Sequence, residues 1–172
     1  WVGVGGSGLF LRDAATGRYR SYRHQPEVQD SLSGDYVTAL SMGRNGHLWV
    51  GTRSNGLDLC RIEPWSCERF DGRSGGERNL RHHHVTALRP DRAGGLWVAT
   101  DGGGLHRAQV DDDGRVTRFQ LWGIERGLLS DGIMAVEEDD DGSLWLSTRH
   151  GLSRLDPATG RVVNHVLQSG LP

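Results

Sequence analysis

Gly46-His47-Leu48-Trp49-Val50-Gly51-Thr52, followed closely by Gly56-Leu57, recurs along the chain. It returns as Gly94-Gly95-Leu96-Trp97-Val98-Ala99-Thr100 with Gly104-Leu105, and again as Gly142-Ser143-Leu144-Trp145-Leu146-Ser147-Thr148 with Gly151-Leu152. The chain opens inside another copy, Trp1-Val2-Gly3-Val4 and Gly8-Leu9-Phe10. Trp1, Trp49, Trp97 and Trp145 stand 48 residues apart, and a fixed period of this length signals a repeat architecture.

Outward from the tryptophan, each unit reads as four short strands. The first is Val37-Thr38-Ala39-Leu40, matched by Val85-Thr86-Ala87-Leu88 and Ile133-Met134-Ala135-Val136. A polar turn leads to the tryptophan strand, as in Asn45-Gly46 and Asp141-Gly142, residue pairs that tolerate positive φ. A Gly-Leu pair then opens the third strand, and a turn ending in Gly-Arg precedes the fourth in three copies, at 17–18, 114–115 and 160–161. In the second copy Pro64-Trp65-Ser66-Cys67 takes its place.

Four strands per unit, with no helical periodicity, predict an all-β chain of β-propeller blades, each a four-stranded antiparallel sheet. The 172 residues make about 3.6 units, whereas a closed ring needs roughly four to eight blades. The chain is therefore expected to be an incomplete ring, a fragment of a larger propeller or one completed by self-association; two copies would supply about 7.2 repeats. The expected units are a partial blade over 1–26, blades over 33–71, 81–120 and 129–168, and the start of another repeat at 169–172.

Composition narrows the function classes. Glycine, 26 of 172 residues, is about twice its usual share, and it falls in phase with the repeat, so it punctuates turns. A net charge of −2 with interspersed signs is no basic footprint, so no nucleic-acid partner is expected. No apolar run approaches the roughly 18 residues of a membrane span, so this segment is expected to make no membrane contact. Cys60 and Cys67 flank a short turn; a disulfide across a hairpin, suited to an oxidising compartment, and two half-buried thiols are both open readings.

No catalytic signature emerges. Gly102-Gly103-Gly104 lies between strands, whereas a phosphate loop opens onto a helix. His82-His83-His84 alternate faces in an extended segment, and no further ligand stands at zinc spacing. The runs Asp111-Asp112-Asp113-Gly114 and 137–142 fall at hairpin turns and miss the twelfth-position carboxylate of a calcium loop. Neither a metal nor a cofactor is expected.

The four in-phase tryptophans Trp1, Trp49, Trp97 and Trp145 read as structural, one per blade in the same inter-blade slot. Trp65 and Trp122 break the phase; Trp122 is placed in the loop over 120–132, where it could stack on a ligand, with partial burial as the plainer reading. Candidate ligand contacts come from loops expected to share one face of the propeller. Arg53, Asp101, Arg149 and His150 follow the second strands, and Tyr36, His82, His84 and Trp122 lie in the inter-blade loops. The plainer reading is that they bind one another across blades.

The pattern Asp-x-x-Gly-x-Leu-Trp-Val-x-Thr followed by Gly-Gly-Leu resembles the two-component regulator propeller repeat, most closely at 138–145 and 100–105. Gly127-Leu128-Leu129-Ser130 is similar to the family's lead-in to the first strand, and Gly170-Leu171-Pro172 to the start of another. Gly43 departs from the turn aspartate, and Ala99 and Ser147 from the usual small glycine. The resemblance implies the periplasmic or extracytoplasmic sensor module of a bacterial inner-membrane receptor. Its output would be a histidine kinase, sometimes hybrid, or a diguanylate cyclase, and its ligand often an oligosaccharide. On that reading the segment is non-catalytic and serves signal transduction. Two other classes remain as alternatives. A propeller enzyme, a lyase or glycan-processing hydrolase, would need His, Glu or Arg around the central channel, where Val-Thr-Ala-Leu-type strands offer none. A scaffold propeller would bind a protein partner.

Overall fold

The computed structural model describes residues 1–72 and 76–166; Gly170-Leu171-Pro172 and the end of the last expected blade lie outside them. Three four-stranded antiparallel sheets follow one three-stranded sheet, each ordered as the chain runs. The first holds β1 (Val2–Val4), β2 (Gly8–Arg12) and β3 (Tyr19–Tyr22). The second holds β4 (Val37–Met42), β5 (Leu48–Thr52), β6 (Leu57–Arg61) and β7 (Ser66–Phe70). The third holds β8 (Val85–Pro90), β9 (Leu96–Thr100), β10 (Gly104–Val110) and β11 (Val116–Trp122). The fourth holds β12 (Ile133–Glu138), β13 (Leu144–Thr148), β14 (Gly151–Leu155) and β15 (Val162–His165). These are the blades of an all-β partial propeller. Among the described residues no helix is long and apolar enough to cross a membrane.

The core lies between blades and not within them. One apolar cluster joins Trp49, Leu57 and Phe70 of the second blade to Val85, Val98 and Phe119 of the third. Another joins Trp97, Leu105 and Trp122 of the third to Ile133, Leu144 and Leu146 of the fourth. A single twisted sheet has two apolar faces and nothing of its own to cover them, so each blade depends on its neighbours. β5 and β9 are accordingly buried along their whole length, whereas β13 alternates buried and half-buried, since among the described residues no blade covers its far face. The tryptophan of each unit faces the following blade: Trp49 is 3% exposed and Trp97 1%, while Trp145 stays half-buried.

Polar contacts repeat with the same period. Thr38 Oγ1 donates to the carbonyl of Val85 in the next blade, and Thr86 Oγ1 to that of Ile133, both at 2.7 Å. Thr52, Thr100 and Thr148 each close the loop after the second strand by donating to the carbonyls of Gly56, Gly104 and Gly151. The amides of Gly8, Gly56 and Gly104 donate to the carbonyls of Asp35, His83 and Asp131 in the inter-blade loops.

Two expectations change and one open reading closes. β11 pairs with β10 as far as Trp122 opposite Leu105, so the third blade runs past residue 120 and the loop after it is shorter. The first strands run beyond their Val-Thr-Ala-Leu cores and so include Arg89, Glu137 and Glu138. These charges are engaged across blades, Arg89 with Glu137 at 3.0 Å and Arg92 with Glu138. Cys60 and Cys67, directly opposed in β6 and β7, are disulfide-bonded, which settles the open reading in favour of the pair.

Candidate functional site

The repeat places Arg53, Asp101 and Arg149 identically, each immediately after the threonine that ends a second strand. The backbone amide of Arg53 donates to the carbonyl of Tyr36, and that of Asp101 to the carbonyl of His84, both at 3.0 Å. The loop after each of these second strands is thus stitched to the residue that enters the same blade. Arg53 lies over the Tyr36 ring, 5.1 Å from its centroid, as a cation–π pair.

One blade on, the polar groups converge. Arg149 Nη2 of the fourth blade donates to both carboxylate oxygens of Asp101 in the third, each at 2.8 Å. His84 Nδ1 stands 3.6 Å from the same carboxylate. His82 accepts the His84 amide on Nδ1 at 3.2 Å and stacks on His83, ring centroids 4.5 Å apart. Burial, and then the neighbouring His83, hold His82 below the usual imidazole range despite the opposing pull of Asp101.

His82 also explains the glycine run. A Cβ on Gly103 would stand 2.6 Å from His82 Cβ, and Gly102 and Gly104 adopt φ of +125° and +84°. The run is a backbone requirement of this loop. Four of the eight candidate residues, Asp101, Arg149, His84 and His82, therefore form one inter-blade cluster, and Tyr36 and Arg53 form a second pair one blade earlier. His150 is exposed, with its amide bonded to Thr148 Oγ1.

Trp122 does not belong with them. It is a strand residue, 3% exposed, packed against Trp97 with ring centroids 5.3 Å apart, so it cannot serve as a ligand platform. Pairing with the seven-residue β10 extends β11 and turns the ring into the core. Trp65 is likewise structural, packed against Tyr22 with ring centroids 4.0 Å apart and beside Trp1. Among the described residues no three His, Cys, Asp or Glu converge as metal ligands.

The structure reveals a further set that sequence reasoning passed over. In each full blade one polar residue of the third strand holds an inter-blade loop amide. Asp58 Oδ2 accepts from Ser33 at 2.8 Å, His106 Nε2 from Arg81 at 2.9 Å and Ser153 Oγ from Leu129 at 3.3 Å. All three anchors are buried. The legible signal was a polar residue at the same phase, directly after the Gly-Leu pair of each full blade.

Two of these anchors titrate in opposite senses. Burial pushes the Asp58 carboxyl up to about 6, against the hydrogen bond from the Ser33 amide and the charges of Arg69 and His24. Burial and the Arg81 charge push His106 down to about 4. The raised acid contributes stability below its unfolded value near 4 that is lost as pH rises toward 6. The depressed imidazole contributes stability above about 6.5 that is lost as pH falls toward 4. Each effect is on the order of 3 kcal/mol, and over pH 4–6 they oppose each other. Urea unfolding between pH 4 and 7 is therefore expected to separate the variants. Asp58→Asn, relative to the parent, should gain stability with rising pH, and His106→Gln should lose it. Parallel profiles for parent and both variants would contradict the assignment.

Comparison with known proteins agrees with this architecture. Residues 31–54, 79–102 and 127–150 match the family model described as Two component regulator propeller. Among solved structures, the chain is similar to the extracellular domain of a hybrid two component system from B. thetaiotaomicron, with 22% identity and a TM-score of 0.79 over 94% of this chain and 22% of that one. It is also similar to virginiamycin B lyase from Staphylococcus aureus, with 12% identity and a TM-score of 0.63 over 95% of this chain and 50% of that one. PorZ, a surface component of the type-IX secretion system of Porphyromonas gingivalis, shares 19% identity at a TM-score of 0.61 over 81% of this chain and 20% of that one. The chain thus spans from about a fifth to half the length of these proteins. Likeness at these identities establishes the propeller fold. No curated protein matches the chain.

Proposed function

Since the chain belongs to the two-component regulator propeller repeat family, we propose that it is the ligand-sensing, non-catalytic part of a membrane-anchored bacterial receptor, exposed on the extracytoplasmic side. The observation that carries the reading is the Asp101–Arg149 pair, which links two blades through loop side chains at the mouth of their interface. A ligand with hydroxyl or carboxylate groups competes directly for Arg149 or Asp101, so binding there changes how the blades hold each other. Differential contact of this kind is what allows a ligand to bias a remote output. The disulfide within the second blade suits an oxidising compartment. The Thr38 and Thr86 hydroxyls on the first strands are consumed by inter-blade hydrogen bonds, and Arg89 and Glu137 by each other, which favours recognition over catalysis.

The ligand class we assign is an oligosaccharide. Thermal unfolding of the chain with a panel of oligosaccharides tests this. A ligand present at about a hundred times its Kd adds roughly 2.7 kcal/mol and raises Tm by several degrees. Arg149→Ala and Asp101→Asn should abolish the response while leaving the fold intact, because the pair is partly exposed and its loss removes about 1 kcal/mol at most. No response of the parent to any member of the panel, or a response unchanged in both variants, would overturn the reading.

A further inference from the structure

In the third and fourth blades an acid from the turn before the second strand and an arginine from the third strand close over the tryptophan. Asp91 holds Arg107 at 2.7 Å, with the guanidinium carbon 5.3 Å from the Trp97 ring centroid. Asp139 holds Arg154 at 3.1 Å and accepts the Trp145 indole N–H at the same distance, with Arg154 over the ring at 5.6 Å. In the second blade both members are replaced together, by Gly43 and Leu59. A cleft of about 530 Å³ lies between the second and third blades there, with Leu59 in its wall where the next blade has an arginine.

We propose that this cleft binds a small oxyanion, a phosphate or sulfate group, through Arg61, Arg78, Arg115 and His47. All four line the cleft, together with Glu68 and Asp113. Glu68 binds Arg78 at 2.8 Å. Asp113 reaches Arg115 only at 3.7 Å, with both side chains about three-quarters exposed, so that contact is weak. Among the described residues Arg61 meets no carboxylate. Among the described residues the buried His47 Nδ1 has no hydrogen-bond partner.

The walls are held in place across the blades. Asn45 Nδ2 donates to the Asp112 carbonyl at 3.2 Å, and the His47 ring packs so closely on Gly114 that a Cβ there would stand 3.0 Å from Nδ1. Guanidinium groups suit tetrahedral oxyanions because their planar fork of donors matches two oxygens at once.

The charge is not a demand of the scaffold. The equivalent cleft one blade on carries Asp91, Glu138, Asp141 and Asp156 against Arg92 and Arg107, and there Arg107 is already bound to Asp91. The same blade-to-blade geometry thus accommodates an acidic lining, and the basic one in the second interface is free to serve a ligand.

Calorimetric titration of the chain with inorganic phosphate, inorganic sulfate and phenyl phosphate tests the site. Saturable binding of at least one probe is expected. Arg61→Ala and Arg115→Ala should each weaken it on the order of tenfold, the scale of one lost charge-assisted hydrogen bond. Arg149→Ala, in the other cluster, should leave it unchanged. Binding of the inorganic ions alone marks a free anion as the ligand, and preference for phenyl phosphate marks an ester whose organic part rests on Leu59. No saturable binding of any probe, or binding that survives both cleft variants, overturns the site. Loss of binding in Arg149→Ala alone would also overturn it, by moving the anion to the loop cluster.

Discussion

Gly104→Ala is expected to cost about 4 kcal/mol, a large part of the roughly 5–15 kcal/mol that holds an ordinary domain together. Gly104 adopts φ +84°, which alone costs a residue with a Cβ roughly 1–2 kcal/mol. The added Cβ would also stand 2.4 Å from the carbonyl oxygen of Trp122. That atom belongs to the neighbouring strand, so no side chain can swing aside. Nor can Gly104 retreat: its amide is bonded to Asp131 at 2.8 Å and its carbonyl accepts from Thr100 Oγ1 at 2.8 Å. Gly160 supplies the control. It has φ +73° but nothing within 4 Å of an added Cβ, so Gly160→Ala should show only the conformational cost of about 1 kcal/mol. Urea denaturation of the two variants measures the difference. Equal losses would mean that the close approach of the Trp122 carbonyl carries no energetic weight.

Trp97→Ala should destabilise the chain by about 3–5 kcal/mol, as removal of a buried tryptophan generally does. Its ring is 1% exposed, lies against Trp122 and carries Arg107 on one face. Truncation leaves a cavity between two blades and removes the surface on which the Arg107–Asp91 pair rests. Trp145 occupies the same phase and has the same kind of partners, Arg154 and Asp139, but among the described residues no blade covers the far side of its own. Trp145→Ala is therefore expected to cost about half as much or less, since far less surface leaves water there. The comparison also reports on assembly. If the open face of the fourth blade is covered by a second copy in solution, the two tryptophans should cost the same, and the loss at Trp145 should grow with protein concentration. Denaturation at two concentrations, with the solution mass measured in parallel, distinguishes the cases.

Much of this was legible from one short segment. Recurrence of the Gly-x-Leu-Trp stretch every 48 residues specified blades, strand order and the structural role of the tryptophans, because each depends on local patterning that repeats. The loop cluster was partly legible for the same reason: Arg53, Asp101 and Arg149 share a phase, so any inter-blade contact made by one pair is a candidate for the next. Phase could not foretell which members would meet. Arg149 reaches Asp101 across one blade interface, while Arg53 turns to Tyr36 within its own blade.

Trp122 was misplaced because it lies off the repeat phase, and only the pairing of a longer β11 with β10 carries it into the core. Asp58 and His106 were passed over because a buried carboxylate or imidazole is tolerable only when a partner amide arrives from elsewhere. Those amides, of Ser33 and Arg81, lie 25 residues away in sequence.

By itself, then, the sequence determined the repeat, the blade and the positions that every blade must fill alike, since these follow from short-range periodicity and turn chemistry. Only the tertiary structure decided which polar side chains pair across blades, which aromatic off the phase is buried, and which charged groups line the clefts between blades. Those outcomes depend on contacts between blades, whose distances no linear pattern records.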